Sequence, residues 1–399
     1  MLVRFHGVRG SIPTCDLRTW QHGGNTPCVE FETPAGHRII LDGGTGLRPL
    51  SQTPAWGGEA VPIHACCFLS HYHWDHIQGL PFFTPLYDPR NQFEFFGPQP
   101  DGDLDMKSAL QGQMLRPYFP VDLSLLVAAQ AFTVVVPGQR LAVEDAIVEA
   151  ARLNHPQGCL GYRIETAEGV VTYASDNEPG DAAGDAAVRH LARGADVLIY
   201  DAQYSPAVLR KRKGWGHSTW QEGVAVARDA GVRCLLLYHH DPDSDDAMVR
   251  RFVRHAREHW RETWAAAEGM QVHCESPVVR IETTNPRIGP RMAHRLPVRL
   301  RARRPDGTSA EMEGFLVNLT VKGTYVVVPE AVEVTSQVEI CLDEEQQESA
   351  AMAGTVVRVD VDRETGQPGL GIVFSLEEQG MRRSSPNPDS ARPSGSDPV

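Results

Sequence analysis

The sequence predicts a layered α/β domain followed by a small all-β domain. Before about residue 285, strand-like runs alternate with segments of helical periodicity. From residue 295 onward, short β-rich runs alternate with turns. The chain has 399 residues, 41% hydrophobic and 22% charged, which is enough for more than one domain with its own core.

Five strand-like runs of the first part each end in polar residues that can carry chemistry. They are RIILDGGTG, HACCFLSH, VVTYASD, DVLIYDA and RCLLLYHH. Helices are predicted between and after them, over residues 181–194, 219–230 and 246–266. In the last of these segments, apolar residues recur at helical spacing from Val249 to Trp260, so we expect the helices to cover the sheets.

The composition limits the classes of function. The formal net charge of −13 and a pI of about 5.7 disfavour generic binding to nucleic acid or to an anionic membrane. No stretch of about 18 uncharged apolar residues occurs, and MLVRFHGVRG does not resemble a signal peptide. The eight cysteines show no C-x-x-C spacing, which predicts reduced thiols rather than disulfides or a thiolate zinc cluster. We therefore expect a cytoplasmic protein with no membrane partner.

Residues 70–80, SHYHWDHIQGL, contain three histidines and an aspartate within six positions, directly after a predicted strand. Alternate side chains of an extended segment point to one side, so His71, His73 and Asp75 are expected to converge. His76 is expected to turn in beside Asp75. Such a cluster is costly without a cation, and neutral imidazole and carboxylate are natural ligands for zinc and similar first-row ions.

Further ligands must come from other strand ends. The candidates are Asp42 in LDGGTG, His155 in LNHPQG, Asp176 in ASDNE, and His239 or His240 in LYHHDP. Any one of these histidines, taken singly, is more simply explained as a surface or core residue. The complete set at strand ends instead favours a site for two neighbouring ions.

The spacing H-x-H-x-D-H, followed by distant His, Asp and His, resembles the metallo-β-lactamase fold superfamily over about residues 1–284. The resemblance implies an αββα sandwich with two divalent metal ions. Zinc is expected there, with manganese or iron as alternatives. It implies that His71, His73 and His155 hold one ion, that Asp75, His76 and His239 hold the other, that Asp176 bridges them and that Asp42 has a supporting role.

His73 stands where the flavodiiron, oxygen-reducing branch of that superfamily typically has Glu, which favours hydrolysis. The HST triplet of residues 217–219 resembles ribonuclease Z and related cyclic phosphate phosphodiesterases. In that branch a histidine outside the metal shell contacts the scissile phosphate. Thr219 and Glu222 also form a capping-box pattern, so helix amides begin beside His217 and suit a phosphate. The alternative is that His217 merely precedes a helix cap.

We therefore expect a metal-dependent phosphodiesterase in which a metal-activated water attacks phosphorus. Asp75 would mainly hold the second metal, and His217 would hold the phosphate or protonate the leaving oxygen. YDAQY stands about where ribonuclease Z has its HEAT motif, with Asp201 in place of Glu.

The expected substrate is a small or cyclic phosphodiester. The basic, glycine-rich arm with which ribonuclease Z grips transfer RNA has no counterpart here, and the net charge is acidic, so no large nucleic acid is expected. Two alternatives stay open: a non-catalytic metal-binding receptor, and a lactonase or thioesterase-type hydrolase.

A second set of motifs lies near the C-terminus. Arg291 and Arg295 have R-x-x-x-R spacing, and Asn318, Thr320 and Gly323 form N-x-T-x-x-G. With GLGIVF further on, the pattern resembles a PilZ domain, a small β-barrel receptor for cyclic di-GMP, over about residues 288–378. Guanidinium forks can grip phosphates and stack on guanines, so these five residues are the candidate nucleotide contacts. The family more often has Ser where Thr320 stands.

Residues 380–399 have almost no apolar side chains and are predicted to be a disordered tail. Whether the barrel acts within its own chain or through a homodimer stays open, as does the sign of any effect of cyclic di-GMP.

Overall fold

The computed structural model describes residues 1–57, 61–283, 296–319, 323–342, 351–361 and 367–374. The chain divides into two compact units, Met1–Arg291 and Met292–Val399. Each is described by itself. The predicted domain limits, 1–284 and 288–378, stay predictions. The predicted tail, residues 380–399, lies outside the described residues.

The first unit is built on two β-sheets. Its strands are β1 (Leu2–Gly7), β2 (Cys28–Glu32), β3 (Arg38–Leu41), β4 (His64–Phe68), β5 (Gln92–Gly97), β6 (Ala129–Val134), β7 (Arg140–Val143), β8 (Ala146–Leu153), β9 (Cys159–Thr166), β10 (Gly169–Ala174), β11 (Val197–Asp201), β12 (Cys234–Tyr238), β13 (Thr263–Ala265), β14 (Met270–Glu275) and β15 (Val278–Thr283). One sheet has the order β15-β14-β1-β2-β3-β4-β5-β6, and the other has the order β13-β12-β11-β10-β9-β8-β7.

Helices accompany both sheets. They are α1 (Leu47–Ser51), α2 (Pro54–Gly57), α3 (Trp74–Ile77), α4 (Met106–Gly112), α5 (Ala182–Ala192), α6 (Pro206–Leu209), α7 (Trp220–Ala230) and α8 (Asp246–Arg257), with 3-10 turns at Leu17–Thr19, Leu80–Phe82, Thr84–Tyr87 and Leu123–Leu125. Among the described residues, no helix is both long enough and apolar enough to cross a membrane.

Apolar side chains from the inner faces of both sheets form one core between them. Phe68 of β4 stacks on Phe96 of β5 with ring centroids 4.6 Å apart, and it meets Tyr162 of β9, in the other sheet, edge-on at 5.3 Å. A second core lies between the first sheet and helices α1 to α4, and a third between the second sheet and helices α5, α7 and α8. The predicted αββα metallo-β-lactamase sandwich is therefore confirmed.

The parallel strands place the polar residues of the sequence motifs at one edge. Strand β3 runs parallel to β4, and β10, β11 and β12 are parallel neighbours in the other sheet. The carboxyl ends of parallel strands meet at the same sheet edge. Within two residues after three of these strands, Asp42, Asp176 and His239 have left-handed φ angles of 60°, 58° and 55°. Non-glycine residues seldom adopt this conformation, and they concentrate at functional sites.

Two local predictions were wrong. The helix expected over residues 246–266 ends at Arg257, and Thr263–Ala265 forms strand β13, which pairs in parallel with β12. The segment from His71 to Asp75 is not extended throughout, because α3 begins at Trp74 with His73 at its N-cap. Asp75 and His76 therefore reach the site from the first turn of a helix.

The second unit is a closed barrel, as the predicted PilZ-like domain requires. Its strands are β16 (Leu296–Arg303), β17 (Ser309–Leu319), β18 (Gly323–Val327), β19 (Gln337–Leu342), β20 (Ala351–Val361) and β21 (Pro368–Phe374), in the order β16-β17-β18-β21-β20-β19. Strand β16 alternates buried Val298, Leu300 and Ala302 with exposed arginines, so its charged residues face solvent and its small apolar residues fill the barrel.

The inter-sheet core predicts a large difference between two phenylalanines. Phe68→Ala removes a fully buried ring and should lower the free energy of unfolding of the first unit by about 3–5 kcal/mol. Phe82→Ala, the matched control, removes a ring that is 54% exposed and should cost less than about 1 kcal/mol. All seven tryptophans lie in the first unit, so urea unfolding followed by tryptophan fluorescence reports on it alone. Equal costs for the two variants would contradict the layered core.

Candidate metal centre

The edge where the two sheets meet gathers the seven predicted metal ligands. His71, His73 and His155 form one group, and their ligand atoms lie within 4.8 Å of one another. Asp75, His76 and His239 form a second group under the same limit. Asp176 lies between the groups. The histidine and aspartate clusters required for binding metal ions are therefore present, and the assignment of individual ligands remains a proposal.

Distances within the groups suit a small ion. His73 Nδ1 and His155 Nε2 are 3.1 Å apart in the first group. In the second, His76 Nε2 and His239 Nε2 are 3.2 Å apart, and Asp75 Oδ2 lies 3.2 Å from the latter. Ligand atoms bound tetrahedrally to zinc at about 2.0–2.1 Å stand roughly 3.3 Å from one another. The second group therefore has the spacing that one such ion requires, and in the first group the pair formed by His73 and His155 has it.

The Asp176 carboxylate faces both groups. Its Oδ1 lies 3.8 Å from His155 Nε2 and 4.0 Å from His71 Nε2. Its Oδ2 lies 3.2 Å from His76 Nε2 and 3.4 Å from His239 Nε2. One oxygen is thus directed toward each group, which is the arrangement of a carboxylate that bridges two ions.

Each of the five histidines in the two groups is held through its other ring nitrogen by an oxygen atom. The contacts are His71 Nδ1 with Ser70 Oγ at 3.0 Å, His73 Nε2 with Gln157 Oε1 at 2.8 Å, His76 Nδ1 with Asp42 Oδ2 at 2.8 Å, His155 Nδ1 with the Gly216 carbonyl at 2.9 Å, and His239 Nδ1 with Gln203 Oε1 at 2.8 Å. An N–H donated to each oxygen leaves the opposite nitrogen with its lone pair toward the group.

His71 gives the most direct indication of a cation site. Its Nε2 is buried and has no hydrogen-bond partner. The Ser70 hydroxyl donates to Asp42 Oδ2 at 2.9 Å, so Ser70 Oγ accepts the N–H of His71 Nδ1. A buried acceptor without a partner is costly. A metal ion in the first group would satisfy it, so the residues present fit the metal that the motif implies.

Burial prepares the ligands for metal binding. It lowers the pKa of His71 well below its usual value and also lowers the pKa of His155, which favours the neutral ligand form. Burial acts to raise the pKa of Asp75, but the neighbouring charges and hydrogen bonds of His76 and His239 hold it well below its usual value. Asp75 is therefore ionised at neutral pH, which is the form that a carboxylate ligand requires.

His217 lies beside the two groups. Its Nδ1 is 2.9 Å from Asp201 Oδ2, and its ring stacks on His239 with centroids 5.0 Å apart. Burial acts to lower the pKa of His217, whereas the charge and hydrogen bond of Asp201 raise it above the usual value. Thr219 caps α7 by accepting a hydrogen bond from the Glu222 amide at 3.3 Å, as the capping pattern predicts.

A cavity of about 450 Å³ opens onto this centre. It is lined by Ser11, Tyr72, His73, Trp74, Asp75, Asp176 and His217. Its volume suits a small-molecule ligand. The two residues predicted to take part in catalysis, Asp75 and His217, therefore both face the space where a substrate would bind.

The structure distinguishes His239 from its neighbour. His240 Nε2 lies 2.9 Å from the Ala266 carbonyl and belongs to neither group. Sequence reasoning missed the amides of Gln157 and Gln203 and the hydroxyl of Ser70. Ser70 and Gln157 lie within two residues of a predicted ligand, whereas Gln203 lies 36 residues from His239, and a glutamine or serine in such a place has no feature in the sequence that separates it from a surface residue.

The candidate nucleotide contacts of the barrel are only partly described. Arg291, Arg295 and Thr320 lie outside the described residues. Asn318 and Gly323 lie near the facing ends of β17 and β18, where Asn318 pairs with Tyr325. The predicted cyclic di-GMP site therefore stays a prediction.

Comparison with known families and proteins bears on both units. A beta-lactamase superfamily domain matches residues 37–240, and a PilZ domain matches residues 289–384. Ribonuclease BN of Cronobacter sakazakii is 30% identical over 215 residues, which cover 43% of this chain and 69% of that protein. Ribonuclease Z of Thermoplasma volcanium is 26% identical over 276 residues, which cover 58% of this chain and 86% of that protein.

Two solved structures share the fold of the first unit. The metallo-beta-lactamase fold protein YhfI from Bacillus subtilis aligns with a TM-score of 0.50 at 19% identity, over 70% of this chain and 98% of that chain. A diphosphatase from the PhnP family aligns with a TM-score of 0.50 at 19% identity, over 69% of this chain and 99% of that chain.

The contact between Gln203 and His239 predicts a specific effect on metal affinity. Gln203→Ala removes the acceptor of the Nδ1 hydrogen, so the His239 ring is no longer held in the ligating orientation. We expect one of the two ions to bind about 10–100-fold more weakly, measured by competition with a chromogenic chelator. Gln92→Ala is the matched control, because Gln92 is exposed at the amino end of β5. Equal affinities in the two variants would show that Gln203 does not orient His239.

Proposed function

Because this chain belongs to the beta-lactamase superfamily and carries a PilZ domain, we propose that it is a binuclear phosphodiesterase for a small or cyclic diester, controlled by cyclic di-GMP. It is a metal-dependent hydrolase of that superfamily. The observation that carries the phosphodiesterase assignment is the position of His217, which lines the same cavity as Asp75 and Asp176 and is held by Asp201.

His217 is suited to contact a phosphoryl group. Its Nδ1–H donates to Asp201, and the raised pKa that results from this carboxylate favours the protonated ring. A protonated ring presents Nε2–H as a second donor. That donor can hold a phosphoryl oxygen or pass its proton to the leaving oxygen.

Two divalent ions, when bound, would supply Lewis-acid stabilisation of the phosphoryl oxygens and make a water nucleophilic at neutral pH. Zinc is our first assignment because imidazole and carboxylate suit it, with manganese or iron as alternatives. His71, His73 and His155 would hold one ion, Asp75, His76 and His239 the other, and Asp176 both. Asp42 orients His76 through the 2.8 Å contact with its Nδ1.

The relatives support chemistry at phosphorus rather than at a carbonyl carbon. Ribonuclease Z and ribonuclease BN are named for the cleavage of phosphodiesters, and one structural neighbour is named a diphosphatase. The complete ligand set argues against a receptor that has lost its activity. All eight cysteines are free thiols, which supports a reducing, cytoplasmic location as part of the proposal.

The proposal predicts that purified, metal-loaded protein hydrolyses bis(p-nitrophenyl) phosphate. His217→Ala should lower kcat by about 100-fold or more while both ions stay bound, because it removes only the donor to the phosphate. Asp75→Asn should lose metal as well as turnover. His64→Ala is the matched control, since His64 is exposed at the amino end of β4. Bound ions without any turnover would favour the receptor alternative, and hydrolysis of a thioester or lactone alone would favour the carbonyl hydrolase.

A separate prediction concerns the barrel. Cyclic di-GMP should bind to the intact protein in isothermal titration calorimetry, and Arg291→Ala or Arg295→Ala should weaken binding at least about tenfold because each removes a guanidinium fork. Arg303→Ala, on an exposed position of β16, should bind normally. The nucleotide should also change the rate of diester hydrolysis. Absence of binding would contradict the receptor role, and binding without any change in rate would contradict regulation.

A further inference from the structure

A basic and aromatic loop adjoins the candidate metal centre, and the proposed function assigns it no role. It comprises residues 210–216, RKRKGWG, between α6 and His217, and is called the RKRKGWG loop below. The chain as a whole carries a formal net charge of −13, so four consecutive cations here are a local reversal of charge. Arg210, Lys211 and Lys213 are exposed, and they make no ion pair with any residue that the structure describes.

The loop backbone is fixed to the metal centre. The buried carboxylate of Glu178 accepts hydrogen bonds from the amides of Gly214 and Gly216, each at 2.8 Å. The Gly216 carbonyl in turn accepts from His155 Nδ1 at 2.9 Å. Gly216 has a φ of 87°, and a Cβ there would lie 2.1 Å from His155 Nδ1. Trp215 is therefore held at a set position relative to a metal ligand.

The side chain of Trp215 is presented to solvent from this fixed backbone. Its indole is 59% exposed, and its ring lies 5.2 Å from the guanidinium carbon of Arg212. Arg212 also lies 5.2 Å from the ring of Tyr204, and Tyr204 meets His217 edge-on at 5.5 Å. A continuous row of ring and guanidinium contacts thus joins the exposed indole to the residue proposed to contact the scissile phosphate.

A second exposed indole lines the cavity itself, whereas Trp215 lies two residues before His217, which also lines it. Trp74 is 77% exposed, lines the cavity and directly follows His73. Exposed aromatic rings beside cations are groups on which nucleobases can stack. Along the chain, an exposed indole and three cations without an ion-pair partner among the described residues therefore precede His217 of the candidate metal centre.

We propose, on the basis of the phosphodiesterase function above, that the RKRKGWG loop determines which diester is accepted. Trp215 stacks on a nucleobase of the substrate, and Arg210, Lys211 and Lys213 bind a second phosphate beside the scissile diester. The substrate class is a nucleoside diester that carries at least one further phosphate.

Three chromogenic diesters with the same leaving group separate the two contacts. Bis(p-nitrophenyl) phosphate has neither a base nor a second phosphate. The p-nitrophenyl ester of thymidine 5′-phosphate adds the base, and the same ester with a 3′-phosphate adds the second phosphate. For the wild-type protein, kcat/KM should rise at least about tenfold at each addition, through a lower KM. The second increase should shrink as salt is added, because exposed cations are screened.

Variants of the loop assign each increase to its residues. Trp215→Ala should remove the increase due to the base, and the triple variant Arg210→Ala/Lys211→Ala/Lys213→Ala should remove the increase due to the second phosphate. Neither should lower kcat for bis(p-nitrophenyl) phosphate, because neither removes a residue proposed to contact the reacting phosphate. The charge-matched control is Arg193→Ala/Arg228→Ala/Arg254→Ala, whose arginines are exposed at or near the C-terminal ends of α5, α7 and α8, and it should retain both increases.

The outcomes separate this inference from the function on which it rests. If the wild type hydrolyses all three diesters equally well, or if the loop variants lower all three rates together, the loop does not select the substrate. If no diester is hydrolysed although ions are bound, the phosphodiesterase function fails. Isothermal titration calorimetry with thymidine 3′,5′-bisphosphate then decides: binding that both loop variants lose supports a nucleotide site at the loop, and absence of binding overturns it.

Discussion

The buried carboxylate of Asp42 is the group on which the metal centre depends. It accepts hydrogen bonds from the Ser70 amide at 2.7 Å, the Ser70 hydroxyl at 2.9 Å, His76 Nδ1 at 2.8 Å and the Tyr173 hydroxyl at 2.6 Å. A carboxylate out of water is stable only when donors surround it. Because Asp42 and Ser70 follow strands of one sheet and Tyr173 belongs to the other, satisfying this one group aligns the edges of both sheets.

The same contacts decide which ring nitrogens face the site. Asp42 takes the hydroxyl hydrogen of Ser70, so Ser70 Oγ can only accept from His71, and His71 Nε2 is left with a lone pair and no partner. Five imidazoles and two carboxylates then converge in a space with little water. Metal binding would offset the free-energy cost of burying these polar groups without partners, so the free energy of binding should also stabilise the fold.

The candidate metal ligands and the residues of the RKRKGWG loop are carried by different kinds of structural element. Most candidate ligands stand within a few residues after a strand, and Asp75 and His76 stand on the short helix α3, whereas the cations and the indole stand on a surface loop. Surface loops are usually mobile. The RKRKGWG loop is restricted because the buried carboxylate of Glu178 accepts hydrogen bonds from two of the loop's amides. The acidic net charge, which argues against non-specific binding of a long polyanion, is compatible with a local cationic patch beside the cavity.

The sequence by itself determined the layered fold, the positions of five strands of the first unit and the types of candidate ligand, because these depend on local apolar patterns and on the chemistry of single side chains. Strand β12 and the N-cap of α7 at Thr219 were predicted for that reason. It could not determine where α8 ends, because Thr263–Ala265 becomes a strand only by pairing with β12.

Only the tertiary structure decided how the ligands are supported, and it gives the physical reason why His239, which the family resemblance implies, and not the adjacent His240 lies at the site. His239 and His240 are the same residue type, yet a left-handed φ of 55° directs His239 to the metal groups, while His240 is held by the Ala266 carbonyl. Gln157, Gln203 and Ser70 likewise gain their roles from oxygen atoms placed within hydrogen-bonding distance of a ring nitrogen. That distance is set by the packing of two sheets, and no local pattern in the sequence records it.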